Sequence, residues 1–589
     1  MDPKLPSGQP SAQQHDPAGV GTAALENTLG RLENILQRLQ FVHNPVPGAP
    51  DPAVLRSQLI NQINDYLLPR SQNAHAPLLA VVGGSTGAGK STLVNSLVGA
   101  TVTRAGAIRP TTRTPVLIHH PQDADWFTGD RVLPTLTRLQ GSGYDTGATL
   151  QRTDALLLIP HEGIPQGVAV LDAPDIDSVS DENRTLSTQL LSAADLWLFV
   201  TTANRYSDAV PWALLEKAGQ RAVTVSVVLN RVPHGAVEQI RPDLVRLMES
   251  NALDPALLHT IHESDLGANG LIRHDQIHAL QQWLTGLARN TVERQRVAAQ
   301  TLRGALEQLA MDLGTLRQAA SDQDAQVRDL EESATRRFDQ ALDKTLDSLH
   351  DGSLLRGEIL ARWQDFVGAG ELMRGIEGTV GRMRDKVAGF FTGKPPATHK
   401  VENAIETGLH TVLVNEITKA CQEVDRQWIG TAFGTELLLE APVPRPAADL
   451  EDQASQTIRA WQKDVLEMIR TEGAGKRKTA RLAAFGVNGL AVALMVVVFA
   501  STAGLTGVEV GIAGGSAVVG QKLLEAIFGE DAVRRMAQRA SIMLKDHCRQ
   551  LIERNRQIYT TVTARVLDDS VCAELDAQIS GLAGNGGTA

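Results

Sequence analysis

The sequence predicts a doubly wound, mostly parallel α/β domain, followed by an extended α-helical stalk with a hydrophobic membrane hairpin. Three observations carry this reading. Short apolar runs alternate with helical patterns between about residues 76 and 287, the signature of βαβ units. Beyond residue 287 the strand signal stops and leucines recur at helical spacing. Residues 482–520 then hold a single formal charge, Glu509. At 589 residues the chain is too long for one hydrophobic core and divides into several units.

Residues 1–22 contain Pro3, Pro6, Pro10 and Pro17 and lack a basic stretch followed by an apolar one. They read as a disordered tail, not a signal peptide. Residues 23–75 read as N-terminal helices. Leu25, Leu29, Leu32, Ile35 and Leu39 form one helical stripe, and a second helix is expected over 52–68, after the break Asn44-Pro45-Val46-Pro47-Gly48.

Within residues 76–287, strands are expected at 78–82, 115–119, 155–159, 167–171, 196–201 and 223–229. The first runs directly into Gly84-Ser85-Thr86-Gly87-Ala88-Gly89-Lys90-Ser91, a complete G-x-x-x-x-G-K-S phosphate loop. Glycines let the backbone curl until successive N–H groups face phosphate oxygens. Lys90 adds a point charge for the β- and γ-phosphates, and the Ser91 hydroxyl offers a magnesium ligand. Thr92 opens a helix whose positive end faces the same anion. The domain is therefore expected to be an α/β P-loop NTPase domain, with its ligand at the carboxyl ends of the strands.

Further contacts follow from position. Arg109-Pro110-Thr111-Thr112-Arg113-Thr114-Pro115 lies where a switch loop should run. Thr112, or alternatively Thr111, would complete the magnesium shell. Asp172 ends the apolar run Val168-Ala169-Val170-Leu171 and would hold magnesium through water. Asn230 ends another strand, where it would bond the base and the phosphate loop while the Arg231 stem covers the base. His262-Glu263-Ser264 is a candidate for the last base-binding loop. The metal ligands expected are thus Ser91, Thr112 and Asp172, with Arg113 as a candidate charge-stabilising residue beside the γ-phosphate.

From 288 to 475 a helical stalk is expected. Leu302, Leu306, Leu309, Leu313 and Leu316 set up a heptad-like, coiled-coil seam, continued by Val327, Leu330, Ala334, Phe338, Leu342 and Leu346. Residues 476–530 read as a membrane-inserting hairpin, because 482–504 alone is long enough to cross a bilayer core. Lys476, Arg477, Lys478 and Arg481 before it, and Arg534, Arg535 and Arg539 after it, would keep both ends on the cytoplasmic face of the cell membrane. Residues 531–589 read as a C-terminal return helix and tail.

Composition excludes other classes. A net charge of −11 and 4% aromatic residues give no basis for nucleic-acid binding. Cys421, Cys548 and Cys572 are too few and too scattered for a disulfide framework or a zinc knuckle. The excess of Arg over Lys and the abundance of Ala and Gly point to a GC-rich bacterial source.

The order of motifs, with Val81-Val82-Gly83-Gly84, Thr112-Arg113-Thr114-Pro115 and Thr201-Thr202-Ala203-Asn204, resembles the dynamin-like branch of the Era-type (TRAFAC) P-loop GTPases. Stalk and hairpin together look like a bacterial dynamin-like protein. The resemblance implies GTP and Mg2+ as cofactors and lipid as partner. It also implies GTPase domains that pair, as a homodimer or with a sister protein, to couple hydrolysis to membrane interaction or remodelling. Three positions depart from the pattern. Asp175 replaces the glycine of D-x-x-G, Pro233 replaces the guanine-selecting aspartate of N-K-x-D, and Thr86 stands where dynamins tend to carry a glutamine. An extra carboxylate at 175 would repel the γ-phosphate unless it turns away or joins the magnesium shell. These departures leave two alternatives open: a nucleotide-gated membrane scaffold or switch with negligible hydrolysis, and an ATPase.

Overall fold

The computed structural model describes residues 17–43, 48–73, 75–103, 114–141, 152–175, 181–264, 266–267, 269–350, 358–367, 396–474, 480–502, 514–566 and 570–585. The chain forms two compact units. One comprises residues 1–41, 45–322 and 568–589, and the other residues 42–44 and 323–567.

In the first unit, among the described residues, eight strands form one sheet: β1 (Leu78–Gly84), β2 (Val116–His119), β3 (Thr137–Gln140), β4 (Ala155–Pro160), β5 (Val168–Asp172), β6 (Leu196–Thr202), β7 (Thr224–Val232) and β8 (Leu258–His262). Their order is β3-β4-β2-β5-β1-β6-β7-β8. Every pairing is parallel except β2 with β5, where Val116 faces Asp172. The mostly parallel sheet expected is present, with one antiparallel seam.

β1 is buried along its whole length, as a continuous apolar run in a sheet covered on both faces should be. Its side chains alternate between two cores. Leu79 and Val81 join Trp197, Phe199 and Val227 in a core with Leu29 and Leu32 of helix Pro17–Arg38 and with Leu309 and Leu313 of helix Thr291–His350. Leu78, Ala80 and Val82 face the opposite way, onto Leu93 and Leu97 of helix Lys90–Val98 and Leu280 and Leu284 of helix His274–Arg289. The N-terminal helices thus pack on the sheet. Helix Pro52–Gln62 widens into a π turn at Ile63–Leu67 just before Pro69, whose ring nitrogen has no N–H to donate.

One buried polar knot ties these layers. The Asp195 carboxylate accepts from Leu79 N at 2.8 Å and from the Tyr66 hydroxyl at 3.3 Å, and pairs with Arg70 at 3.0 Å. Its own carbonyl accepts from Thr301 Oγ1 at 3.0 Å. Helix Val571–Asn585 returns to this unit: Val571, Leu575 and Leu582 are buried in the same core as Leu29, and Glu574 pairs with Arg38 at 2.8 Å.

The second unit is helical among its described residues. The heptad-like stripe is buried there through Val327, Leu330, Ala334 and Phe338. Trp428 and Trp461 are fully buried, and each indole N–H donates to a backbone carbonyl, Leu330 O at 3.2 Å and Ala540 O at 2.9 Å.

The membrane hairpin expected from residues 482–520 is corrected here. Among the described residues, no helix is long and apolar enough to cross a membrane. Helix Ala480–Thr502 is interrupted at Gly486 (φ +66°, ψ 162°), which leaves 487–502, short of the roughly 20 residues a bilayer core requires. Residues 490–499 are no more than 5% exposed and belong to the unit's own core, where Phe499 meets Trp461 edge-on at 5.8 Å. A helix apolar on all sides satisfies burial in protein as well as in lipid. Residues 475–479 and 503–513 lie outside the described residues.

Candidate functional site

The carboxyl ends of β1, β5, β6 and β7 point the same way, and the phosphate loop with Lys90, Asp172, Asp175, Asn230 and Arg231 gathers there. Gly84 ends β1 at φ +143°, where a Cβ would lie 2.1 Å from the carbonyl oxygen of Val200 on β6. Gly87 and Gly89 take φ +78° and +93°, so the loop is bent at three places that favour glycine. Ala88 N donates to Ser85 O at 3.1 Å and Leu93 N to Gly89 O at 2.9 Å, so the turn passes directly into helix Lys90–Val98.

Lys90 is buried. Its ammonium donates to Gly84 O at 3.0 Å and Ser85 O at 3.3 Å, and forms an ion pair with the Asp175 carboxylate. Ser85 Oγ is buried without a partner. Thr92 O accepts from Ser96 Oγ at 2.6 Å.

Asp172 at the end of β5 is fully buried; the Ser91 and Thr103 hydroxyls lie near enough to act on its carboxylate, but neither oxygen has a partner in good hydrogen-bond geometry. Burial pushes its pKa up to about 6; the Ser91 hydroxyl, the Lys90 charge and the Thr103 hydroxyl act in the opposite direction, and Asp175 adds to the rise. A buried carboxylate with free lone pairs beside the loop serine is an environment that favours a cation. Magnesium fits such a site, since it is commonly held by one or two carboxylates with phosphate oxygens and water completing the shell. Among the described residues, no cluster of three or more His, Cys, Asp or Glu residues suits a metal held by protein alone.

On β7, Asn230 is buried; its Nδ2 donates to Ala88 O at 2.8 Å and its Oδ1 accepts from Arg231 N at 2.9 Å. Arg231 takes φ +51°, and its guanidinium reaches Gly87 O at 3.4 Å. The β8 exit lies beside the segment after β7: Glu263 N donates to Val232 O at 2.9 Å, and the His262 ring stacks on His234 at 5.7 Å. Thr111, Thr112 and Arg113 lie outside the described residues.

The structure adds three residues that motif reading passes over. Arg205 donates to Thr86 O at 3.1 Å and so holds the loop from the β6 side. Asn95, one turn along the loop's helix from Ser91, accepts from Val102 N and Thr103 N, each at 2.8 Å, and donates to Thr103 O at 2.8 Å. Thr103 Oγ1 in turn donates to Ser91 O at 3.3 Å. Asn95 sits at i+4 from Ser91, between Val94 and Ser96, and that placement is the one signal the sequence offers for it.

A glycine-bent G-x-x-x-x-G-K-S loop leaving the central strand of a predominantly parallel, doubly wound sheet defines the P-loop nucleotide-binding class. Residues 79–231 match the family model described as the Dynamin family, whose members are GTPases. The match runs from β1 to Arg231 and covers less than half of the chain. No curated protein matches the sequence. Two solved chains from work on an oligomerised bacterial dynamin pair, described as sensing and tethering membranes over long range, align over most of this one. The first shares 10% identity at a TM-score of 0.40 and covers 96% of this chain and 100% of its own. The second shares 9% at 0.37 and covers 97% and 99%.

Proposed function

We propose that this chain is a dynamin-like GTPase that binds and hydrolyses GTP with Mg2+ and works against a membrane surface. The observation that carries the nucleotide half is the buried, unpartnered Asp172 carboxylate beside a phosphate loop whose lysine is also buried. In this reading nucleotide binding belongs to residues 76–287 and the stalk to 288–475. The backbone N–H groups of residues 85–92 and the Lys90 ammonium bind the phosphates. Ser91 and Asp172, with Thr112 from the switch segment, hold the metal. Asn230 and Arg231 position the base. When bound, magnesium would supply positive charge that offsets the negative charge of the phosphates. Arg113 would add positive charge at the γ-phosphate. The chain needs no covalent nucleophile, because phosphoryl transfer rests on positioning and electrostatics.

Membrane association is proposed on the chain's own basic residues: Lys476, Arg477, Lys478 and Arg481, with Arg534, Arg535 and Arg539, are of the kind drawn to anionic lipid headgroups. Pairing through GTPase domains, as a homodimer or with a sister chain, completes the proposal as the resemblance implies. A second reading is a nucleotide-gated scaffold with negligible turnover, and the Asp175 carboxylate on Lys90 favours it. Steady-state hydrolysis of GTP and ATP by the full chain, with and without anionic liposomes, separates the readings. Lipid-stimulated GTP turnover supports the GTPase. Tight GTP binding without turnover supports the scaffold, and preference for ATP refutes both. A Lys90→Ala variant that binds nucleotide normally would refute the site.

A further inference from the structure

We infer that Asp175 is a built-in competitor for nucleotide, occupying the lysine of the phosphate loop until a phosphate displaces it. The inference rests on the nucleotide-binding reading above and goes beyond it by assigning a regulatory role to a residue of the same site.

Lys90 has three ammonium protons, and three acceptors surround it: Gly84 O, Ser85 O and the Asp175 carboxylate. The two carbonyls belong to the loop itself and can stay in place when a ligand arrives. Among the described residues the carboxylate is the one anionic group bonded to Lys90, and a phosphate oxygen would compete with it for the third proton. Lys90 is 6% exposed at its side chain and Asp175 18%, so solvent screens the pair little. An ion pair to a buried lysine is stronger than a neutral hydrogen bond, and a ligand must break it before using that donor.

The chain places Asp175 there by short-range geometry. Ala173-Pro174 follows the end of β5, and Ala173 N donates to Val82 O at 3.3 Å, so the segment after β5 is stitched to β1 beside the loop. Ser187 Oγ donates to Pro174 O at 2.9 Å and fixes the turn from its other side. A residue one step beyond Pro174 is therefore delivered to the lysine.

A site held closed by its own ion pair binds ligand more weakly by the fraction of time it is open. Asp175 therefore lowers nucleotide affinity without touching the base. Its displacement also releases a carboxylate close to the phosphates, so the bound state needs that side chain to swing away. Asp175 thereby links nucleotide arrival to movement of its own carboxylate away from Lys90.

Binding of fluorescent GTP and GDP to the full-length wild type, Asp175→Asn, Asp175→Gly and Lys90→Ala tests this. Asp175→Asn and Asp175→Gly are each expected to bind about tenfold more tightly than wild type, with or without magnesium. Unchanged or weaker binding overturns the proposal. Weakening seen only with magnesium also overturns it, because Asp175 would then belong to the metal shell. A second readout uses no ligand. A Lys90→Ala/Asp175→Asn double-mutant cycle on thermal unfolding of the free protein is expected to show coupling, and additive effects overturn the proposal. The nucleotide-binding reading fails separately: wild type would then bind neither nucleotide, or Lys90→Ala would bind as wild type does.

Discussion

The side-chain amide of Asn230 donates to the carbonyl of Ala88 at 2.8 Å, joining two residues 142 positions apart in sequence. The bond fastens the end of β7 to the crest of the phosphate loop. The same side chain accepts from Arg231 N at 2.9 Å, which holds that residue in its left-handed conformation. Asn230→Ala removes both bonds and leaves a buried carbonyl without its donor. The expected cost is about 1–3 kcal/mol in urea unfolding. Nucleotide affinity is expected to fall by about tenfold in a fluorescent-nucleotide titration, and an unchanged affinity would disprove the role given to this tether.

Gly84 permits no side chain. At φ +143° an added Cβ would stand 2.1 Å from Val200 O, an atom of the neighbouring strand's backbone that cannot swing aside. Gly84→Ala is expected to cost about 3 kcal/mol or more and to abolish nucleotide binding. Gly99→Ala is the control: its φ of +77° carries backbone strain, but nothing lies within 4 Å of an added Cβ. Its expected loss is about 1 kcal/mol with binding retained. Equal losses in the two variants would contradict the steric account.

Val496 separates burial in protein from burial in lipid. It is 1% exposed within a protein core, so Val496→Lys forces an ammonium among apolar groups with no partner. The expected destabilisation is at least about 3 kcal/mol in lipid-free buffer, followed by loss of helical circular dichroism on mild heating. A variant as stable as wild type in that buffer would mean the segment is not packed as described.

Thiol chemistry should divide the three cysteines. Burial pushes the Cys421 and Cys548 thiols up to about 12, so almost no thiolate forms at pH 8. Cys572 is only half-buried. A chromogenic disulfide reagent at pH 8 is expected to titrate one thiol rapidly in the native chain and three in denaturant. The sign of the alkaline effect follows from the same shift. An acid whose folded pKa lies above its unfolded one, near 9, keeps its proton in the native state while the unfolded chain loses it. Stability is therefore expected to decline as pH rises above about 9 and to decline less steeply in Cys421→Ala.

The six strands of apolar sequence were legible because a parallel, doubly covered strand leaves an unbroken apolar run. The two others were not. Thr137-Arg138-Leu139-Gln140 is a short edge strand of mixed polarity, and Leu258-His259-Thr260-Ile261-His262 dilutes its alternation with histidines. Lys90, Asp172 and Asn230 were legible from motif spacing, and the structure brings them to the ends of β1, β5 and β7. Arg205 was not, since it bonds loop backbone 119 positions away, and Asn95 and Thr103 were not, since they bond the backbone on either side of the turn after the loop's helix, which no motif encodes. Residues 482–520 read as a bilayer hairpin, whereas Leu490–Phe499 pack in the protein's own core, because hydropathy measures the wish to leave water, not the destination.

Helix Pro17–Arg38 shares its core with helix Val571–Asn585, and Arg38 meets Glu574 across 536 residues of sequence. During translation the first of these leaves the ribosome long before the second exists. Leu25, Leu29 and Leu32 must therefore wait, partly uncovered, while the intervening helices are made. Domains that fold as they emerge hide such surfaces early. Closure of this core therefore waits for helix Val571–Asn585, so a chain stopped before that helix leaves the unit that holds the phosphate loop uncovered along one side.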